Sequence, residues 1–226
     1  MSIRGRSQSG KSGESDGRKT CRTAAQRRAR QDLGRSAHMW SELTEEQRTA
    51  WRQRSEQVGR LRRLGQYYRL KGQQLFNKLN SVRALCGQEP LTDPPPLPSF
   101  SPNPVGVLTI TWVGHEPTLK LTVSGPVAGD IMVFASPPFN AGRGYCSDYR
   151  FIGLLSTSGE HVGEITRLYL KKYGVPPPNS RIFIRAWQQV DGWEFRGQMR
   201  LTNAVVPPWP ALAKAPPGRR AGGKQG

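Results

Sequence analysis

The first residues with a spacing typical of catalysis form the segment from Gly5 to Ser12, which matches the phosphate-loop pattern G-x-x-x-x-G-K-[ST]. That loop binds a nucleotide only when a buried strand precedes it and a helix follows, so that backbone N–H groups converge on a phosphate. Four residues precede Gly5, and Gly-Glu-Ser-Asp-Gly follows Ser12. The sequence therefore predicts no nucleotide site here.

The histidines and cysteines suggest no metal site or nucleophile. His38, His115 and His161 lie far apart, and the pair His161 and Glu164 has no third ligand nearby. Cys146 lies in a predicted loop with no histidine or carboxylate placed to activate it. The three cysteines form no C-x-x-C pair. We expect a protein that is not an enzyme and has no cofactor.

Basic residues are concentrated in the first part of the chain. Residues 1–90 hold 20 Lys and Arg against 8 Asp and Glu, a net +12, whereas residues 91–207 carry +2 and residues 208–226 carry +4. Such an asymmetry favours a polyanionic partner for the basic part, and phosphate contacts would give binding with little sequence specificity. The alternative is a solvated face that keeps the protein soluble. The candidate contacts are Arg27, Arg28, Arg30, Arg35, Arg48, Arg52, Arg54, Arg60, Arg62 and Arg63.

Helical spacing dominates residues 20–90. Thr23 with Gln26, and Thr44 with Gln47, form capping boxes that begin helices of about 23–40 and about 44–58. A basic connector follows, and the apolar spacing then predicts a third helix of about 71–86, ended by Gly87 and Pro90.

Large apolar residues on the three predicted helices are spaced so that they can pack together in one core. Trp40 and Trp51 lie near the end of one helix and within the next, which suits a core between antiparallel helices. The alternative is a pair of exposed platforms for stacking bases. Leu75, Phe76 and Leu79 are interpreted as the third face of this core.

The helical part resembles an HMG box. Met39 to Trp51 reads Met-Trp-x-x-Leu-Thr-x-Glu-x-Arg-x-x-Trp and is similar to the link between the second and third helices of that family. Lys71 to Asn80 resembles the family's opening helix, although here it comes last. The resemblance implies a three-helix DNA-binding module. Gln74 stands where the family places an apolar wedge, so the resemblance does not extend to DNA bending.

A proline-rich segment, 91–104, separates the helices from a region of period-two alternation and is interpreted as a stiff spacer. Asp191-Gly192 predicts a hairpin turn. Thr166 to Tyr173 is interpreted as a short helix or an edge strand. The predicted strands cover 107–112, 119–123, 130–136, 150–155, 181–187 and 194–201.

Six or seven short strands predict an antiparallel β-sandwich of about seven strands. The pattern resembles fibronectin type III and immunoglobulin-like modules, with Trp112 on an early strand. The expected fold is α+β in two domains: an HMG-box-like module over 20–90 and the sandwich over 105–206. Residues 1–19 and 207–226 are expected to be disordered basic arms, with Trp209 available to fold back onto the sandwich.

Two functions are consistent with these patterns. The first is a non-enzymatic protein whose helical module binds nucleic acid, DNA or RNA, through phosphates. The second is a structural or assembly protein, for instance of phage or prophage origin, whose sandwich contacts other proteins. With no signal peptide or long apolar segment apparent in the sequence, a cytoplasmic location and no membrane partner are expected.

Overall fold

The chain folds as a mixed α+β protein in the computed structural model, which describes residues 24–58, 61–63, 66–127, 129–157 and 162–210. The described helices are α1 (Ala24–Glu42), α2 (Glu45–Gln57), α3 (Gly72–Leu85) and α4 (Thr166–Tyr173), with a 3₁₀ turn at Arg196–Gln198. The described strands are β1 (Leu61–Arg63), β2 (Gln66–Tyr68), β3 (Val105–Val113), β4 (Glu116–Val123), β5 (Asp130–Ala135), β6 (Phe139–Asn140), β7 (Arg150–Leu155), β8 (Ser180–Val190), β9 (Trp193–Glu194) and β10 (Arg200–Val205).

The capping box predicted at Thr44 begins α2. The backbone N–H of Gln47 donates to the Thr44 hydroxyl at 3.2 Å, and the Thr44 N–H donates to the Gln47 side chain at 3.1 Å. Glu45 and Glu46 follow in the first turn, where negative charge is favourable. The second predicted helix start is therefore confirmed, whereas the box predicted at Thr23 lies outside the described residues.

The two helical tryptophans pack where the sequence predicts a core. Trp51 is fully buried, and its ring meets Phe76 edge-on with 5.3 Å between the ring centroids. Trp40 approaches the same ring at 5.4 Å, while Leu75 and Leu79 are fully buried on α3. Since Trp51 has no exposed surface, it cannot act as a base-stacking platform.

Two antiparallel sheets form a sandwich-like arrangement. The larger sheet has the order β10-β8-β5-β7, with β6 and β9 also paired to β8, and β3 pairs with β4 in the smaller sheet. Leu119 and Leu121 from the smaller sheet, and Ile131 and Ile182 from the larger, are fully buried in one core cluster. The alternation of apolar residues along the strands is what places one side of each sheet against this core.

The prediction of one strand over 194–201 is wrong. After β9 the chain leaves the ladder for the 3₁₀ turn and pairs with β8 again only from Arg200. Two side chains account for this departure. Phe195 stacks on Phe100 with 4.8 Å between the centroids, and the Gln198 side chain accepts a hydrogen bond from the N–H of Asn103 at 2.9 Å. Sequence alternation cannot reveal partners that lie nearly a hundred residues away.

The hairpin turn predicted at Asp191-Gly192 is confirmed. Both residues have positive φ, 48° and 85°, as the tight turn between two strands requires. For Thr166 to Tyr173 the structure decides between the two alternatives in favour of a helix, α4. Its Tyr169 is fully buried against the sandwich core.

Helix α3 lies against the larger sheet. Val82 from α3 packs with Met132 and Trp187 on the outer side of that sheet, and Trp193 from β9 joins the core between the helices. Arg83 pairs with Asp191 at 3.1 Å. The helices and the sheet thus contact each other directly, and the division into two domains stays a prediction.

The segment 91–104 contacts both the helices and the sheet. Thr92 accepts a hydrogen bond from the Trp51 indole at 2.8 Å, and Pro95 is buried. The Asn103 side chain donates to the carbonyl of Ala186 on β8 at 3.0 Å. The segment therefore contacts both α2 and β8, and its role as a stiff spacer between two domains stays a prediction.

Near the end of the described chain, Trp209 folds back onto the sandwich. Its ring stacks on Trp112 at 4.3 Å, and the Trp112 indole donates to the carbonyl of Pro207 at 2.9 Å. The remainder of the basic tail and the first arm lie outside the described residues. Among the described helices, none has the length and apolar character needed to cross a membrane.

Candidate nucleic-acid interface

Three of the candidate arginines form an exposed face on α1. The side chains of Arg27, Arg30 and Arg35 are exposed, and they form no ion pair with another described residue. At roughly 100° per residue, the three positions span an arc of about 140°. Ser36 and Trp40, which face the helical core, lie on the opposite side of the helix. The three guanidinium groups therefore point away from the core into solvent.

Arg48 binds the protein's own backbone instead. Its Nη2 donates to the carbonyl of Ser41 at 2.7 Å, and its Nε donates to the carbonyl of Trp40 at 3.3 Å. Both carbonyls belong to the last turn of α1, which has no helical partners for its carbonyl groups. Arg48 is thus a side-chain cap that joins α2 to the end of α1.

The other two candidates on α2 are also engaged within the chain. Arg52 donates to a carboxylate oxygen of Glu45 at 2.6 Å, and this hydrogen bond, with the charges of Arg52 and Arg48, lowers the pKa of Glu45. Arg54 donates to the side chain of Gln57 at 2.8 Å. At Arg52 a phosphate would compete with the carboxylate of Glu45, whereas the neutral amide of Gln57 leaves the positive charge of Arg54 unneutralised.

The structure does not test the remaining candidates. Arg60 lies outside the described residues, as do the phosphate-loop-like segment and His161. Arg28, Arg62 and Arg63 belong to α1 and β1, but their side chains lie outside the described part. The ten arginines predicted as one set thus separate into an exposed group on α1, an engaged group on α2, and four others.

Gln74, at the position of the family's wedge, has a structural role in α3. Its side chain is exposed and accepts a hydrogen bond from the backbone N–H of Lys71 at 2.9 Å, which caps the first turn. It lines a groove of about 640 Å³ together with Trp40, Arg52, Arg69 and Lys71. Arg69 and Lys71 are exposed cations that were not among the sequence candidates.

A second groove places Arg35 near the sandwich. It has a volume of about 810 Å³ and lies between α1, α3 and the larger sheet. Arg35 and Lys172 are its cationic side chains, and Glu89 is the acidic one. The exposed face of α1 therefore continues toward a lysine of α4, a neighbour that sequence spacing could not indicate.

No catalytic or metal-binding constellation is found among the described residues. His38 is exposed and pairs with Glu42 at 3.3 Å, one helical turn away. The Cys146 thiol is buried and donates to the carbonyl of Asp148 at 3.3 Å. Within the described ranges, no three histidine, cysteine or acidic side chains are grouped as metal ligands would be.

A further set of arginines, on the sandwich, was missed by the sequence reasoning. Arg143 lies 3.9 Å over the ring of Phe139, and Arg185 lies 3.8 Å over the ring of Tyr149. Arg181 lies on the same side of β8 as Arg185, four residues away. Two features of the sequence could have indicated this set: Arg181 and Arg185 lie four residues apart in one predicted strand, and the loop before β7 contains Arg143, Tyr145 and Tyr149.

Comparisons of the chain with models of protein families, with curated proteins and with solved structures find no match. The functional interpretation consequently depends on the chain's own surfaces.

Proposed function

We propose that this is a non-enzymatic nucleic-acid-binding protein whose α1 helix contacts phosphates with little sequence specificity. The observation that supports this most directly is the exposed set of Arg27, Arg30 and Arg35 on one side of α1, none of which forms an ion pair with another residue that the structure describes. The net +12 of residues 1–90 adds a long-range attraction for a polyanion. Phosphate contacts of this kind position a protein on nucleic acid without reading its bases.

The proposal assigns the arginines of α2 a different role. Arg48 joins α2 to the end of α1, and Arg52 pairs with Glu45 on the surface of α2. The resemblance to an HMG box supports a nucleic-acid ligand, but the proposal includes no DNA bending, since the wedge position holds Gln74 and its amide caps α3.

The test is a titration of the full chain against labelled duplex DNA, with binding followed by fluorescence anisotropy at a series of salt concentrations. Each phosphate contact contributes about 0.9 to the slope of log K against log salt. The triple variant Arg27→Gln, Arg30→Gln and Arg35→Gln should therefore bind more weakly and reduce the slope by about 2 to 3. Two duplexes of unrelated sequence should bind equally well.

The matched control removes the same charge from the sandwich: Lys120→Gln, Arg167→Gln and Arg200→Gln, three exposed cations. A control variant that loses as much affinity and slope as the α1 variant would show that total charge, and not the α1 face, is responsible. Affinity of the native chain that does not change with salt would contradict the proposal altogether.

A second candidate function, protein assembly through the sandwich, is favoured by exposed aliphatic residues on β3. Val107 and Val113 are 64% and 70% exposed. If they form a contact between copies of the chain, sedimentation equilibrium should show association that Val107→Lys abolishes. A monomer at all concentrations would remove the support for self-assembly.

A further inference from the structure

One side of the larger sheet is only partly covered by α3. Helix α3 covers the end of this side that carries Met132 and Trp187. Toward the other end, the strand register places Arg185 beside Leu201, and Arg181 beside Val205. The surface there is formed by the side chains of Phe139, Arg143, Tyr145, Tyr149, Arg181, Arg185, Leu201, Asn203 and Val205, and we call it the arginine–aromatic surface.

Three guanidinium groups on this surface are held in place without a carboxylate. The guanidinium carbons of Arg143 and Arg185 lie 3.9 Å and 3.8 Å from the ring centres of Phe139 and Tyr149. The Nε of Arg143 also donates to the carbonyl of Tyr145 at 2.8 Å, and Arg181 donates to the side-chain oxygen of Asn203 at 3.2 Å. Among the described residues, none of the three forms an ion pair. A cation over a ring is attracted by the ring's electron density while its positive charge remains unneutralised. The surface is therefore complementary to an anion.

Exposed rings and aliphatic side chains lie beside these charges. Tyr145 is 73% exposed, and the Arg143 guanidinium carbon lies 5.6 Å from the centre of its ring. Leu201 is 60% exposed and Val205 is 39% exposed on the neighbouring strand. A partner of this surface must offer flat apolar groups as well as negative charge.

A single-stranded nucleic acid has both properties at a regular spacing. Its phosphates carry the charge, and its unpaired bases are free to stack on aromatic rings and guanidinium planes. A duplex is a poorer match because its bases are already stacked inside the helix. Arg181 and Arg185 are roughly 13 Å apart along β8, at about 3.3 Å per residue, so one extended strand can contact both.

We propose that the arginine–aromatic surface binds single-stranded nucleic acid, with a base stacked on Tyr145 and phosphates bound by Arg143, Arg181 and Arg185. This site goes beyond the phosphate contacts proposed for α1 and does not depend on them. The α1 face would then bind the phosphates of any nucleic acid, and the arginine–aromatic surface would prefer single strands.

The experiment measures binding of the full chain to fluorescein-labelled oligo(dT) of about 12 nucleotides, a length within the range that single-strand-binding modules cover. Tyr145→Ala should weaken binding roughly tenfold, because base stacking on an aromatic side chain contributes on this order. Tyr145→Phe keeps the ring and should bind as the native chain does. The double variant Arg143→Gln and Arg185→Gln should also weaken binding at least tenfold.

Matched controls separate the surface from general effects. Trp209→Ala removes another partly exposed aromatic ring, and Lys120→Gln with Arg167→Gln removes two exposed charges elsewhere on the sandwich. Both controls should leave oligo(dT) affinity unchanged. Affinity for a labelled duplex of the same length should be unchanged by Tyr145→Ala.

Several outcomes would overturn the inference without affecting the proposal for α1. One is oligo(dT) binding that is insensitive to Tyr145→Ala and is lost only in the α1 triple variant. Another is polyglutamate competing as strongly as unlabelled oligo(dT), which would indicate a site for acidic polypeptides. Conversely, loss of duplex binding in the α1 variant with oligo(dT) binding retained would support both sites separately.

Discussion

Asn80 and Leu91 are joined by two hydrogen bonds that connect α3 to the proline-rich segment. The Asn80 amide nitrogen donates to the carbonyl of Leu91 at 3.1 Å, and the N–H of Leu91 donates to the Asn80 side-chain oxygen at 2.7 Å. Asn80 is only 4% exposed. A primary amide satisfies both backbone groups at once, and this is why a buried polar residue is stable here.

Asn80→Ala should lower the free energy of unfolding by about 1–3 kcal/mol, because it leaves the backbone groups of Leu91 without partners. Urea unfolding followed by tryptophan fluorescence measures the change. Ser81→Ala is the control: this exposed neighbour bonds only within its own helix, and its replacement should change stability by less than about 0.5 kcal/mol. Equal effects of the two substitutions on the free energy of unfolding would show that the hydrogen bonds to Leu91 do not stabilise the fold.

Gly192 should tolerate alanine less well than Gly87. Both have positive φ, 85° and 72°, so alanine at either position should destabilise the protein by about 1–2 kcal/mol. At Gly192, however, a β-carbon would lie 2.5 Å from the carbonyl oxygen of Leu79 on α3, whereas at Gly87 it would have no atom within 4 Å. We expect the midpoint of urea unfolding to fall further for Gly192→Ala. A result in which both variants unfold at the same midpoint would contradict the close approach of the hairpin to α3.

Arg48→Gln should destabilise the fold, and Arg35→Gln should not. Arg48 donates to two carbonyls at the end of α1, and only the bond to Trp40 is partly buried, so we expect a total loss of about 1–2 kcal/mol when both are removed. Arg35 is exposed and forms no ion pair within the described part of the chain, so its replacement should alter stability by less than about 0.5 kcal/mol. Thermal unfolding by circular dichroism compares the two. A larger loss of stability for Arg35→Gln than for Arg48→Gln would contradict the capping role of Arg48.

Stability should decrease at alkaline pH partly because of Cys86. Burial, together with the negative charges of Asp130 and Glu194, raises the pKa of this thiol from 9.0 to about 11. Between these values the unfolded chain has lost the thiol proton while the folded chain keeps it, so the free energy of unfolding falls as pH rises. Urea unfolding of native protein and of Cys86→Ala should give a steeper decline between about pH 9 and 11 for the native chain.

Two tyrosines also have a raised pKa in the folded state, so they too lower stability at alkaline pH. They are present in both the native chain and the Cys86→Ala variant, and the difference between the two proteins therefore reports on Cys86 alone. Burial raises the pKa of Tyr169 and of Tyr173. Both residues remain in the Cys86→Ala variant, so any decline that persists in it is attributable to them and to other groups. An identical pH dependence in the two proteins would exclude Cys86 as a contributor.

Local patterns were sufficient for most of the secondary structure. The capping box at Thr44, the helical spacing through α3 and the turn at Asp191-Gly192 all act within a few residues, and the structure confirms each. The same locality explains the wrong strand over 194–201, which is interrupted by contacts of Phe195 and Gln198 with the distant segment near Asn103.

The arginine candidates show where sequence reasoning ends. The sequence by itself determined that positive charge is concentrated in residues 1–90 and that the chain combines helices with antiparallel strands, because composition and periodicity are local properties. Only the tertiary structure decided that Arg48 caps the end of α1, that Arg27, Arg30 and Arg35 are exposed, and that Arg143 and Arg185 contact aromatic rings. Whether a guanidinium group is free depends on which acceptors the fold brings within hydrogen-bonding distance, and those acceptors come from other elements of the chain.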